Sequence, residues 1–289
     1  MHFRDLIDNG NFSAKQEIDC IIGFINTEDR SRHSIRRLID ANFIKFLKVG
    51  PFTSLHSLID YIISQSSNDE ESLILICEML LYVICTYQQS IRGISRTIPG
   101  ERLYEIEKNM DYLKKHISEM VDRIHHQIVQ KDDDYDFIIV PQDKTSIQAA
   151  EIVASTDKDI AINILEYKHI STTVVDKENI LISIAKYMED KKGEITERLN
   201  NDDLYMKKNK KISLLDQMFE MFNNLHIRHR NDNQYIEESQ REKWYDYTYN
   251  TVLTVIIIDE QAKINKEFKK LKEENRKNKY LVFQKSPRI

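Results

Sequence analysis

The chain has 289 residues, 41% hydrophobic and 31% charged, with a net charge of −5. That length holds one large or two ordinary domains with real cores. The negative balance excludes a global attraction for nucleic acid, so any RNA contact has to be local. Only 6 Gly and 4 Pro occur. Sheets joined by tight turns consume those residues, so their scarcity points to long helices. The expected class is all-α: helical bundles with one short β-strand or hairpin near residues 136–140. Cys20, Cys77 and Cys85 are widely spaced in apolar segments. They form neither a disulfide framework nor a zinc pattern and read as reduced, buried thiols. Met1 to Asp8 is polar rather than a signal peptide, and no apolar run is long enough to span a bilayer. The expected compartment is the cytosol, with no membrane partner.

In chain order, Phe12 to Phe24 reads as a short helix with Ser13 as N-cap and Glu17 in its first turn. Ser34 to Val49 follows as a helix stopped by Gly50-Pro51. The next helix starts at Thr53 or Ser54 and runs through Ile63. Glu70 to Tyr87 contains LILICEMLLYVICTY, apolar nearly all round, and is expected at the centre of the first bundle. After a loop from Gln88 to Gly100, Glu101 to Gln130 reads as a long amphipathic helix carrying His116, His125 and His126. Adjacent histidines cannot share one helix face, which argues against a metal site from that pair.

Lys131 to Asp134 is an acidic break, and Asp136 to Val140 before Pro141 is the one convincing strand. Such a strand needs a partner, from the residues just before it or from another chain. This break is the expected domain boundary, giving 1–131 as an N-terminal helical bundle and 132–289 as a C-terminal helical domain. Thr145 to Ala154, Asp157 to Tyr167 and Asp176 to Arg198 read as helices. After a polar loop and the stretch discussed below, the last helix runs from Arg241 to about Asn275. Its TVLTVIII portion, Thr251 to Ile258, is β-branched, but the length and flanks favour helix.

The most suggestive stretch is Ser213 to Asn233, SLLDQMFEMFNNLHIRHRNDN. Leu214, Leu215, Met218, Phe219, Met221, Phe222 and Leu225 recur at the helical period. If that helix continues unchanged, His229 projects onto the middle of the apolar arc, with His226 and Arg228 at its edges. Burying such groups without partners is costly. Either the helix stops near Leu225 and the cluster is a solvated turn, or the cluster has a partner.

The order of segments carries a resemblance. A strand ending IIVP precedes ILEYKHIS, ILISIAKYMEDKKGEI, FNNLHIRHRN and EKWYDYTYNTVLTVIIID. This order resembles a bacterial family grouped with abortive-infection (phage-defence) proteins, whose C-terminal half is similar to the HEPN superfamily. The resemblance covers about Asp136 to Ile264. Many HEPN proteins are metal-independent ribonucleases, with an Arg, often followed by Asn, and a His four to six residues further on. Two subunits typically bring these motifs into one cleft. This chain departs from the pattern: counting back from His229, the Arg position holds Phe222, Asn223 or Asn224. The resemblance implies Arg228, His229 and Asn224 as catalytic residues, with Asn223, His226 and Arg230 in support. His169, among the polar groups that end the Asp157–Tyr167 helix, is expected either to orient His229 or simply to suit the dipole of that helix C-terminus. The resemblance implies no metal or cofactor, a homodimer, and RNA or a protein of the same defence system as partner. Since some HEPN domains are inactive, it also admits a non-catalytic helical sensor or interaction module.

Overall fold

The structure is a computed structural model that describes residues 12–28, 34–46, 51–91, 100–131, 135–200, 214–225, 227 and 237–284. It is mainly helical, and the described residues contain one two-stranded antiparallel sheet. The chain divides into two compact units. Unit 1 is Met1–Gln142 with Lys168–Ser171, and unit 2 is Asp143–Tyr167 with Thr172–Ile289. The boundary read from the sequence, 131/132, lies between residues 126–130 and 137–141, which pair as strands.

Unit 1 begins with α1 (Ala14–Asn26), whose N-cap is Ser13, as the sequence implies: its hydroxyl accepts from the Gln16 amide. Helix α2 (Ile35–Asp40) is shorter than expected. The Asn42 side chain takes the Leu38 carbonyl, and its amide bonds back to Ile39, so the backbone tightens into a 3-10 turn at Phe43–Lys45. Helix α3 (Leu55–Gln65) is capped by Ser54. Helix α4 (Asp69–Thr86) is buried on most of its circumference, through Leu73, Ile74, Ile76, Cys77, Leu80, Val83 and Ile84. It packs against α1, α3, α5 (Gly100–Arg123) and the sheet, so it is the centre of this unit. Burial pushes the Cys77 thiol well above its ordinary range, consistent with an inert reduced cysteine.

The helix expected to reach Gln130 ends at Arg123. His125 turns the chain with φ 58°, and β1 (His126–Gln130) pairs with β2 (Phe137–Pro141) in the register Ile128↔Ile139. The strand's partner is therefore the segment just before it. Ile124 and Ile128 have helical spacing, yet both pack on the unit 1 core across this turn. The apolar demand is met equally well by a strand.

Unit 2 holds α6 (Lys144–Ala154), α7 (Lys158–Glu166), α8 (Val174–Asp190), α9 (Lys192–Asn200), α10 (Leu214–Asn224) and α11 (Arg241–Gln284). Aspartates cap α6 and α7, and Thr173 with Asp176 forms a capping box on α8. The single helix expected over 176–198 is broken at Lys191, whose amide bonds back to the Glu189 carbonyl. Helix α11 is the longest described and α5 the next, as the sequence implies. The β-branched stretch of α11 is helical, with Val252, Leu253, Val255 and Ile256 buried. Helices α6, α8, α9 and α10 all pack on α11. At the centre Tyr167 and Tyr249 stack with ring centroids 3.9 Å apart. The Tyr249 hydroxyl donates to the Ile164 carbonyl at 2.6 Å, and Tyr167 donates to Asp246 at 3.0 Å.

Burial and neighbouring acids hold three phenols neutral. Burial, then the adjacent Asp246, raises Tyr167; burial raises Tyr249; burial, then Glu178, pushes Tyr245 up to about 12. A pKa raised on folding gives stability that is full below the unfolded value, about 10 for tyrosine, and is lost as pH rises toward the folded value. In an alkaline titration of the 14 tyrosines, three phenolates should therefore emerge late, together with loss of helical circular dichroism. Titration of all of them near the ordinary value with the helices intact would contradict this packing.

Candidate functional site

Helix α10 buries Leu215, Met218, Phe219 and Phe222 in the unit 2 core. Phe219 and Phe222 meet edge to face at 5.9 Å, and the Lys192 ammonium lies 4.3 Å from the Phe219 ring centroid. The helix stops at Asn224. The angular projection that aimed His229 at the centre of the apolar stripe therefore does not apply. The Leu225 amide still bonds to the Met221 carbonyl, and Leu225 and Ile227 are both buried, Ile227 to 1% exposure. The backbone thus stays anchored on unit 2 for three residues past the helix. Asn223 and Asn224 are exposed beside that anchor, whereas Phe222 is fully buried. Of the three positions that match the family's arginine, Phe222 is thereby a core residue. His226, Arg228, His229 and Arg230 lie outside the described residues, as do Asp132, Asp133 and Asp134 of the acidic run.

His169 belongs to unit 1. Its Nε2 is 2.7 Å from Glu78 Oε1, and its Nδ1 is 2.9 Å from Ser171 Oγ. The Ser171 amide also points at Nδ1, at 3.4 Å. With donors at Nδ1, the ring is the tautomer that accepts there and donates Nε2–H to the carboxylate. Both nitrogens are then engaged inside unit 1. Glu78 also accepts the Ile139 amide at 2.5 Å, an N–H that the β1 ladder leaves unpaired. One carboxylate thus ties together α4, the free edge of β2 and the segment Lys168–Ser171. An exposed serine, a histidine and a carboxylate in series also resemble an activated nucleophile. Here Nδ1 is shared with the backbone amide of the same short turn, which is the geometry of a loop tie.

A second buried carboxylate–imidazole pair, Glu17–His116, joins α1 to α5. In unit 2, Arg198 grips Asp259 with two nitrogens, at 2.7 and 2.9 Å. The hydrogen bonds of Asp259 hold the guanidinium pKa above its usual value. Beside this pair is a cavity of about 150 Å³ lined by Thr156, Tyr187, Lys191 and Lys263, smaller than most ligand sites. Sequence reasoning missed all three pairs. A signal was available for one: Glu78 is the only charged residue in LILICEMLLYVICTY, and a carboxylate inside an apolar helix implies a buried partner.

Among the described residues, no group of three or more His, Cys, Asp or Glu could hold a metal ion. No described helix is long and apolar enough to cross a membrane. Comparisons of the chain with protein-family models, with curated proteins and with solved structures find no match.

The Glu78 tie predicts a specific cost. His169→Ala leaves a carboxylate with 12% of its side chain exposed and no cationic or imidazole partner. Removing the hydrogen-bond partner of a buried charged group costs about 1–3 kcal/mol or more. Denaturant unfolding should show that loss for His169→Ala and a smaller one for Ser171→Ala. A His169→Ala protein as stable as the wild type would contradict the assignment.

Proposed function

We propose that this protein is an abortive-infection effector of the metal-independent, HEPN-type ribonuclease class, with its site in the segment that follows α10. The observation that supports the reading most is positional. Helix α10 is locked by its apolar face onto α11, and the chain leaves it through the exposed pair Asn223–Asn224 and an anchored Leu225 and Ile227. A motif at the end of one helix, beside a long second helix, is the arrangement this class uses. In the proposed chemistry His229 removes the ribose 2′-hydroxyl proton, and the 2′ oxygen attacks phosphorus. The 5′ oxygen leaves and is protonated, giving a 2′,3′-cyclic phosphate. Arg228 offsets the charge that develops on the phosphoryl oxygens. Asn224, with Asn223, supplies hydrogen bonds where the family has Arg-Asn, and His226 and Arg230 flank the site. Two copies pairing their clusters in one cleft belong to the same reading, with RNA as substrate and the cytoplasm as the compartment.

A second reading, a non-catalytic sensor or interaction module of a defence system, is favoured by one observation. Once buried Phe222 is set aside, only Asn223 and Asn224 remain at the family's arginine position, and neither carries charge. The two readings predict different outcomes in bacteria expressing the protein. The ribonuclease reading expects cellular RNA to fragment with the wild type and to stay intact with His229→Ala or Arg228→Ala. Both variants should melt like the wild type, because catalytic groups are not chosen for stability. Intact RNA with the wild type, or variants that keep full activity, would leave the interaction module. A loss of about 1–3 kcal/mol in either variant, as expected when a structural group leaves its partners unpaired, would also count against a catalytic role.

A further inference from the structure

Helix α11 changes character along its length. Up to Ala262, which is 4% exposed, it is the spine of unit 2. From Lys266 to Arg276 every residue is exposed, and the helix backbone continues to Gln284. This arm is not merely polar. Ile264, Phe268 and Leu271 form one apolar stripe with exposures of 49%, 64% and 55%. Their steps of four and three residues are those of a heptad seam. A helical arm this exposed among the described residues is marginal in water, since packing supplies most helix stability, and three large apolar side chains add exposed hydrophobic surface.

We propose that the arm from Gln261 to Arg276 pairs with the same arm of a second copy as a parallel two-stranded coiled coil. With Gln261, Phe268 and Asn275 at a positions, Ile264 and Leu271 fall at d. The flanking g positions are then Glu260, Glu267 and Glu274, and the e positions Asn265 and Lys272. In a parallel pair each g residue faces the partner's next e residue, which sets Glu267 against Lys272. In an antiparallel pair g faces g and e faces e, so glutamates would oppose glutamates and lysines would oppose lysines. The charge pattern therefore selects both the occupant and its direction. Asn275 at an a position supports the same choice, because a buried Asn pair holds two parallel strands in register at some cost in stability. A lipid surface fits less well: the glutamates that border the stripe on one side are matched by lysines on the other, as a self-complementary partner requires. The pairing does not depend on the ribonuclease reading, and its readout is mass rather than RNA cleavage.

Light scattering of the full chain at micromolar concentration should give the mass of two copies. Phe268→Glu with Leu271→Glu should halve it; these exposed side chains contribute nothing to the unit 2 core, so the tyrosine packing should survive. Glu267→Lys should also give one copy, and adding Lys272→Glu should restore two. Leu271→Cys should form an interchain disulfide on oxidation, since d meets d only in the parallel pair. A single-copy mass for the wild type, a dimer that survives Phe268→Glu with Leu271→Glu, or a charge-restored protein that stays single would overturn the proposal.

Discussion

Unit 2 depends on the burial of one stripe of one helix. Tyr245, Tyr249, Val252, Leu253, Val255 and Ile256 of α11 are each at most 5% exposed, and four other helices lean on them. Fully burying such side chains contributes about 1.5–3 kcal/mol each. The stripe also carries the polar links that fix its neighbours. Tyr249 reaches the last carbonyls of α7 through Ile164, and Tyr167 and Lys177 meet at Asp246. Glu242 and Asp246 together overcome the burial that opposes the Lys177 charge, so its pKa is raised. Helix α10 is held in place by the same spine, and the segment of the proposed site follows it in the chain.

Unit 1 is held differently. Its apolar helix α4 supplies the core, but the attachments between sequence-distant segments are buried carboxylate–imidazole hydrogen bonds. Glu17 meets His116, and Glu78 meets both His169 and the edge of β2. Each is a carboxylate removed from water and satisfied by an imidazole. Loss of the imidazole strands the carboxylate, which makes these pairs far more sensitive to single substitutions than exposed bridges such as Arg37–Glu28.

Much of this architecture was legible in the sequence, for reasons that differ by element. The helical class followed from the scarcity of Gly and Pro and from clean 3.6-residue periods, and the cap at Ser13 from residue type alone. The segment His126–Gln130 was misread because Ile124 and Ile128 satisfy a helical period as well as a strand that returns to the same core. The break at Lys191 was passed over although Gly193 lies two residues beyond it, because that glycine sits inside the next helix and the sequence around it continues to favour helix. The tie between His169 and Glu78 spans 91 residues, and nothing local announces the partner of a buried carboxylate. For the site, the residue types and their order were readable, while the helical projection of His229 failed because the helix ends at Asn224.

The claim that the segment after α10 performs metal-independent RNA chemistry is tested most directly on the purified protein. A defined single-stranded RNA is incubated with it in excess EDTA, and the new ends are read by mass spectrometry. The account predicts fragments ending in 2′,3′-cyclic phosphate and 5′-hydroxyl groups, with none from His229→Ala. Intact RNA, or cleavage that needs a divalent metal and leaves 5′-phosphates, would contradict it.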